Sequence, residues 1–229
     1  MINFDDYFDR IFVINLDFRK DKWEIVTKNL SKMNIKNYER FSAIRPLYDE
    51  IDPRYKQWFH EKNHSDGTDE TYSIGALGCK LSHLNIIKLA RERNYKKILV
   101  LEDDVEFRDD ALFVFNKALT QLFKLSNPSW DMLYFTGNHG NRYVKVDDNL
   151  IRIYGSYSTV GYAVSNNLFN FILNNAYNYF KHIDIFYKEK VHPVFNCYCI
   201  QPHLVWNIEG FSDIEQGYRD YKVLKRKYI

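Results

Sequence analysis

Three adjacent carboxylates, Glu102-Asp103-Asp104, close the apolar run Ile98-Leu99-Val100-Leu101. Acidic side chains are expelled from a core unless they are paired or hold a cation. Their oxygens suit a hard divalent ion such as manganese or magnesium, which also bridges to phosphates. The run before them follows a polar turn and reads as a strand buried on both faces. Such a strand delivers Glu102 and Asp104 to its carboxyl edge, where open α/β sheets bind ligands. A solvated acidic turn would carry the same residues, so the elements around it have to be read.

The chain has 229 residues, 45% of them hydrophobic and 17% aromatic, which is ample for a sizeable core. Its net charge of +2 gives nucleic-acid binding no electrostatic support. The short basic stretch Lys222 to Lys227 does not change this. No apolar stretch is long enough to span a bilayer. Met1 to Arg10 is acidic and aromatic and lacks the basic start of a signal peptide, so a cytoplasmic enzyme is expected. Three cysteines are an odd number and form no disulfide framework; Cys197 and Cys199 share a strand face and read as buried free thiols. Asn29-Leu30-Ser31 and Asn63-His64-Ser65 match the glycosylation pattern by chance.

Strand and helix patterns alternate along the chain. Arg10 to Leu16 reads as a first buried strand, and the polar residues after it sit where that strand exits. Asp21 is expected to cap a helix whose Trp23, Val26, Leu30 and Met33 face the sheet. Tyr38 to Ala43 is a second strand candidate. Arg45 to Thr71 is polar, contains Pro46, Pro53 and Gly67, and is expected to be irregular, either as a lid or acceptor element or as a plain surface insertion. Ser73 to Asn94 is the longest helix candidate; Gly75 and Gly78 are costly inside it unless another backbone or a ligand packs closely. This strand–helix–strand order favours parallel pairing.

Beyond the carboxylates, Asp109 to Leu125 reads as an amphipathic helix and Trp130 to Phe135 as a strand. Tyr143 to Val146 and Leu150 to Tyr154 read as a hairpin about Asp147-Asp148-Asn149. Thr159 to Ser165, a helix over Asn166 to Ala176, a short helix starting at His182 and a strand over Val194 to Ile200 follow. Gln201 to Ile229 is expected to hold little regular structure, and residues 1–229 to form a single domain.

Taken together, Ile14-Asn15-Leu16-Asp17 with Arg19, then Gly78-Cys79-Lys80-Leu81-Ser82-His83, then Leu101-Glu102-Asp103-Asp104-Val105 resemble glycosyltransferase family 25 in order and spacing. Gly161-Tyr162-Ala163-Val164-Ser165, Asp184, Pro202 and Ser212-Asp213-Ile214 are similar to its later landmarks. That family contains bacterial lipooligosaccharide and collagen galactosyltransferases. The resemblance implies the type A glycosyltransferase fold, a single Rossmann-like α/β domain with a mixed central sheet. It also implies a divalent cation, manganese or magnesium, inversion at the sugar carbon, and a UDP-sugar donor, most often UDP-galactose. Lys22 stands where the family commonly has arginine, which keeps the charge but loses the bidentate fork.

Transfer of a sugar must stabilise a departing diphosphate. Asp104, with Glu102 through water, would hold the metal. Asp103 would accept from ribose or sugar hydroxyls, Asn15 and Asp17 would read uracil or ribose, and Arg19 would meet the diphosphate. Ser82 and His83 are donors to the nucleotide or helix-packing residues. A third metal ligand is expected from the C-terminal part, with His203 and Asp213 as candidates. Asp184 is the candidate base toward a saccharide, glycan or other hydroxylated acceptor; its alternative role is a helix cap. Two rival readings are a noncatalytic sugar-binding module and a different metal-dependent enzyme, such as a nucleotidyltransferase or phosphohydrolase. A binding module needs neither metal nor base, and the second class would show a Gly-rich phosphate loop or a second acidic cluster.

Overall fold

A computed structural model describes residues 1–63, 69–140 and 142–220. In chain order it contains α1 (Phe4–Tyr7), β1 (Arg10–Asn15), α2 (Lys20–Lys32), β2 (Tyr38–Ser42), α3 (Pro53–Asn63), α4 (Asp69–Glu92), β3 (Lys97–Glu102) and β4 (Val105–Phe107). Then come α5 (Ala111–Leu122), β5 (Met132–Tyr134), β6 (Tyr143–Asp147), β7 (Leu150–Ile153), β8 (Gly161–Ser165), α6 (Asn166–Ala176) and α7 (Ile183–Phe186). A π-helical turn over Tyr187–Val191 leads to β9 (Cys197–Ile200), β10 (Val205–Asn207), β11 (Gly210–Ser212) and β12 (Gly217–Arg219).

Eight strands form one mixed sheet in the order β2-β1-β3-β8-β5-β9-β7-β6. β2, β1 and β3 run parallel, β8 is antiparallel to both β3 and β5, β5 and β9 are parallel, and β7 and β6 are antiparallel. The expected α/β class and mixed central sheet are therefore present. Successive side chains of a strand point to opposite faces. Ile11 and Val13 accordingly join a core with Val26 and Leu30 of α2 and Phe115 of α5, whereas Phe12 and Ile14 join a second core with Leu84 and Ile87 of α4 and Ile172 of α6. Ile98 to Leu101 have no solvent exposure and divide between the same two cores, which explains their uninterrupted apolar run.

The path from β1 to β2 crosses one face through α2, and the path from β2 to β3 crosses the other through α4. A crevice opens between the carboxyl ends of two strands connected to opposite faces. Glu102 and Asn15, the last residues of β3 and β1, stand there.

Several sequence expectations change. Arg19, not Asp21, is the N-cap of α2, and Asp21 turns back to the Arg19 guanidinium at 2.9 and 2.7 Å. Much of Arg45 to Thr71 is helical: a 3-10 turn at Tyr48–Glu50, then α3 and the start of α4. Ile51 and Tyr55 pack with Ala76 and Leu77 of α4 in a third apolar cluster, a periodicity hidden by the polar and proline residues around it. Residues 201–220 also contain regular structure, because β10 pairs with β4 and β11 with β12. Strands this short carry no readable alternation. The Lys222 to Lys227 stretch lies outside the described residues, as do His64 and Ser65 of one glycosylation match. In the other match, Asn29 is buried and donates to the Val105 carbonyl at 3.0 Å. Among the described residues no helix is long and apolar enough to cross a membrane.

Candidate functional site

A cleft of about 530 Å³ occupies the crevice, lined by Asn15, Lys22, His83, the three carboxylates Glu102 to Asp104, Asp184 and Asp213 among others. Each acidic group is held by a segment remote in sequence. Glu102 accepts from Thr159 Oγ1 at 2.8 Å, and His83 Nε2 lies 3.6 Å from the same oxygen. Asp103 accepts from Asn15 Nδ2 at 2.7 Å. Asp104 accepts from Asn207 Nδ2 at 2.9 Å. The pairing of β10 with β4 brings Asn207 opposite Val105 and so places its amide beside Asp104.

The Lys22 ammonium stands among three of these carboxylates. Nζ is 3.6 Å from Asp103 Oδ1, 3.7 Å from Asp104 Oδ2 and 3.6 Å from Asp213 Oδ2. Burial works against its charge, but Asp104 and Asp103 outweigh that effect and raise the Lys22 pKa. Arg19 also pairs with Asp213 and joins the C-terminal segment to the start of α2. Gly75 permits this approach: a Cβ there would lie 2.9 Å from Ile214 Cα and 3.2 Å from the Asp213 carbonyl oxygen. At Gly78 a Cβ would lie 2.2 Å from the Ile44 carbonyl oxygen. The two glycines thus answer to close backbone approaches, which justify their cost in a helix.

Burial pushes the Asp104 carboxyl up to about 7, and neighbouring Glu102 adds to the rise. Burial also acts to raise Glu102, but contact with His83 and Thr159 prevails and holds it below the usual carboxylate range. Asp103 is raised, first by burial, against the pull of Lys22 and Asn15. Oxygen donors crowded together and withdrawn from water are what a hard divalent ion relieves. Glu102 and Asp104 therefore fit such an ion, and the convergence on Lys22 shows that the pocket accommodates positive charge.

Asp184 enters the cleft from another element. His182, not Asp184, is the N-cap of α7, so the cap alternative falls away. Asp184 Oδ2 instead accepts from the Ser158 backbone N–H at 3.2 Å. Its Oδ1 is buried and has no hydrogen-bond partner among the described residues. Lys80 fixes the approach to α7 by donating to the Tyr179 and Lys181 carbonyls and to Tyr55 Oη. This ammonium is almost fully buried, and desolvation lowers its pKa to about 7.

Other sequence candidates stand elsewhere. Asp17 is exposed and binds Arg40 at 2.9 Å and Ser42 at 2.8 Å; it does not line the cleft. Asn15 does, but Asp103, the Arg19 carbonyl and Arg40 take up its amide, so it positions Asp103. Arg19 lies just behind the lining, between Asp21 and Asp213. Ser82 donates to the Gly78 carbonyl at 2.7 Å and accepts from Ile44 N–H at 2.8 Å, which is the helix-packing role. His83 reaches both the cleft and Tyr162 Oη, the latter at 2.9 Å. His203 is buried next to Thr136, outside the cleft lining, whereas Asp213, the other C-terminal candidate, lines the cleft and meets the Lys22 ammonium that also faces Asp104. Thr159 and Asn207 had no signal in the sequence; Lys22 was visible as the lysine standing where the resembled family commonly has arginine, but its place among three carboxylates was not.

A cleft at the carboxyl ends of parallel strands is where open α/β sheets bind their ligands. A profile of glycosyltransferase family 25 (LPS biosynthesis protein) matches residues 8–187, and the chain belongs to that family. Its relatives include procollagen galactosyltransferase 1-B of Xenopus laevis, 28% identical over 183 residues, covering 69% of this chain and 27% of that protein. Procollagen galactosyltransferase 2 of Homo sapiens is 28% identical over 179 residues, covering 69% and 26%. The chain thus spans about a quarter of the length of these curated relatives. A solved glycosyltransferase involved in glycosylation of the major capsid of PBCV-1 aligns with a TM-score of 0.45 and 17% identity, covering 90% of this chain and 95% of that one.

Proposed function

We propose that the chain, as one domain, is a metal-assisted inverting glycosyltransferase. It moves a hexose, galactose or glucose, from a UDP-sugar to a hydroxyl of a saccharide, glycan or hydroxylated acceptor. The observation that carries this reading is the pairing of two kinds of carboxylate in one cleft. The Glu102-Asp103-Asp104 edge draws in the Lys22 ammonium, whereas Asp184 keeps one buried oxygen without a partner among the described residues. Family membership supports glycosyl transfer as the chemistry.

Inverting transfer is a single displacement. The acceptor oxygen forms its bond to the anomeric carbon as the bond to the diphosphate oxygen breaks, and the electron pair leaves with the diphosphate. The acceptor hydroxyl loses its proton during attack, and Asp184 Oδ1 takes it. Ser158 holds the other Asp184 oxygen and fixes the carboxylate plane. Glu102 and Asp104 would hold manganese or magnesium, whose Lewis acidity neutralises charge on the departing diphosphate. Asn15 aims Asp103 toward hydroxyls of the donor, and Lys22 would supply positive charge beside the diphosphate.

Calorimetric titration of UDP with and without manganese tests the donor side. Tighter binding with manganese is expected, and Asp104→Asn should remove the gain. Equal affinity under both conditions defeats the metal assignment. Slow hydrolysis of UDP-galactose or UDP-glucose without acceptor is expected as well. Turnover of only GDP- or CMP-sugars would overturn the nucleotide assignment.

A further inference from the structure

A second group of ligating side chains lies apart from the carboxylate edge. His139 follows β5, Cys199 lies in β9, and His203 follows the Gln201-Pro202 turn. Candidate ligand atoms of these three residues all fall within 4.8 Å of one another. Their exposures are only 2%, 0% and 3%. Tetrahedral zinc, with bonds of about 2.0–2.3 Å, sets ligand atoms about 3.3–3.8 Å apart. The three therefore need only a small inward movement to share one ion.

We propose that His139, Cys199 and His203 form a second metal site that would hold zinc through three protein ligands, with its fourth position left to water. Two imidazoles and a thiolate are a soft to borderline donor set, which favours zinc over magnesium or manganese. The surrounding groups suit ligation. Thr136 Oγ1 lies 3.2 Å from His203 Nδ1, the outer contact that orients a metal-bound imidazole and directs Nε2 to the ion. The Gln201 side-chain amide donates toward Cys199 Sγ at 3.7 Å, where it stabilises a thiolate. Zinc binding forms a zinc–sulfur bond and releases the thiol proton to solvent.

The location gives the ion its role. Asn138, beside His139, lines the cleft and bridges to Tyr157. His203 leads into β10, whose Asn207 holds Asp104. Zinc at this point ties together two loops that build the cleft from behind. Sites this deeply buried load as the chain folds.

The test uses the full chain produced in cobalt-supplemented medium, with cobalt as the spectroscopic stand-in for zinc. A near-ultraviolet thiolate-to-cobalt band is expected. It should persist in Asp104→Asn, Cys79→Ser and Cys197→Ser and vanish in Cys199→Ser. His139→Gln and His203→Gln retain the thiol and should each weaken cobalt binding at least about 100-fold, since even outer-shell changes cost about 10–100-fold. Absence of the band in the cobalt-grown wild type overturns the proposal. So does a band that survives Cys199→Ser, a band lost in Cys79→Ser, or unchanged affinity in both histidine variants. None of these failures touches the transferase reading, whose metal lies on the carboxylates.

Discussion

The end of β3 and the start of α7 both present carboxylates to one cleft, but they are furnished differently. At β3 every acid is answered: Glu102 by Thr159 and His83, Asp103 by Asn15 and Lys22, Asp104 by Asn207 and Lys22. At α7 only one oxygen of Asp184 is answered among the described residues, by a backbone N–H. The first arrangement manages charge, and an oxygen there already belongs to a cation. The second leaves the oxygen that, in the proposed reaction, would take the acceptor's proton. Two roles for one side-chain type follow from the company each residue keeps.

The strongest way to break this contrast is Asp184→Asn. Asparagine can still accept from Ser158 N–H but cannot take a proton. Transfer should fall at least about 100-fold, the scale of a lost general base. UDP affinity, metal affinity and thermal stability should change little, as read by calorimetry and melting. Transfer within a few-fold of wild type would move the search for the base to Asp213.

A second test sharpens the β3 side. Folding raises the Asp104 carboxyl from 3.8 to about 7. The folded state then binds a proton that the unfolded state has released, so its advantage is full below 3.8 and is lost as pH rises through about 7. The stability of wild type relative to Asp104→Asn should therefore decline across that window in denaturant titrations. Excess manganese should flatten the decline, because the cation favours the ionised carboxylate. A difference that rises with pH in the absence of metal would contradict the burial of Asp104.

Gly78→Ala should have the smallest effect. Helix propensity favours alanine by about 1 kcal/mol. The new Cβ would meet a backbone oxygen at 2.2 Å, and neither chain can yield cheaply. Net destabilisation of about 1–2 kcal/mol is expected from overpacking, measured as a lower denaturation midpoint.

Much of this contrast was legible in the chain itself. The uninterrupted run Ile98 to Leu101 announced a strand covered on both faces, and its acidic end lines the cleft. Residues 166–176 were readable to the residue as a helix because their apolar positions recur at helical spacing. Family membership was legible from the order of three short motifs. What escaped were partners supplied by irregular or very short segments. Asn207 sits on a three-residue strand, too brief for a pattern, and Thr159 in a loop before β8. Asp17 and Ser82 looked like ligand contacts because polarity at a strand exit or helix face does not reveal direction. Arg40 and Ser42 had already claimed Asp17, and the Ile44 backbone had claimed Ser82.

The contacts that define the cleft also set the order in which it can be assembled. Asn15 meets Asp103 across 88 positions, Asn207 meets Asp104 across 103, and Arg19 meets Asp213 across 194. Closing loops of such length is entropically costly, and topologies rich in distant contacts fold slowly. During synthesis the β1–β3 frame can form long before Asp213 leaves the ribosome. Until then Lys22 and Arg19 lack one of their counter-charges. The timing of translation thus orders what the finished protein holds at a single point.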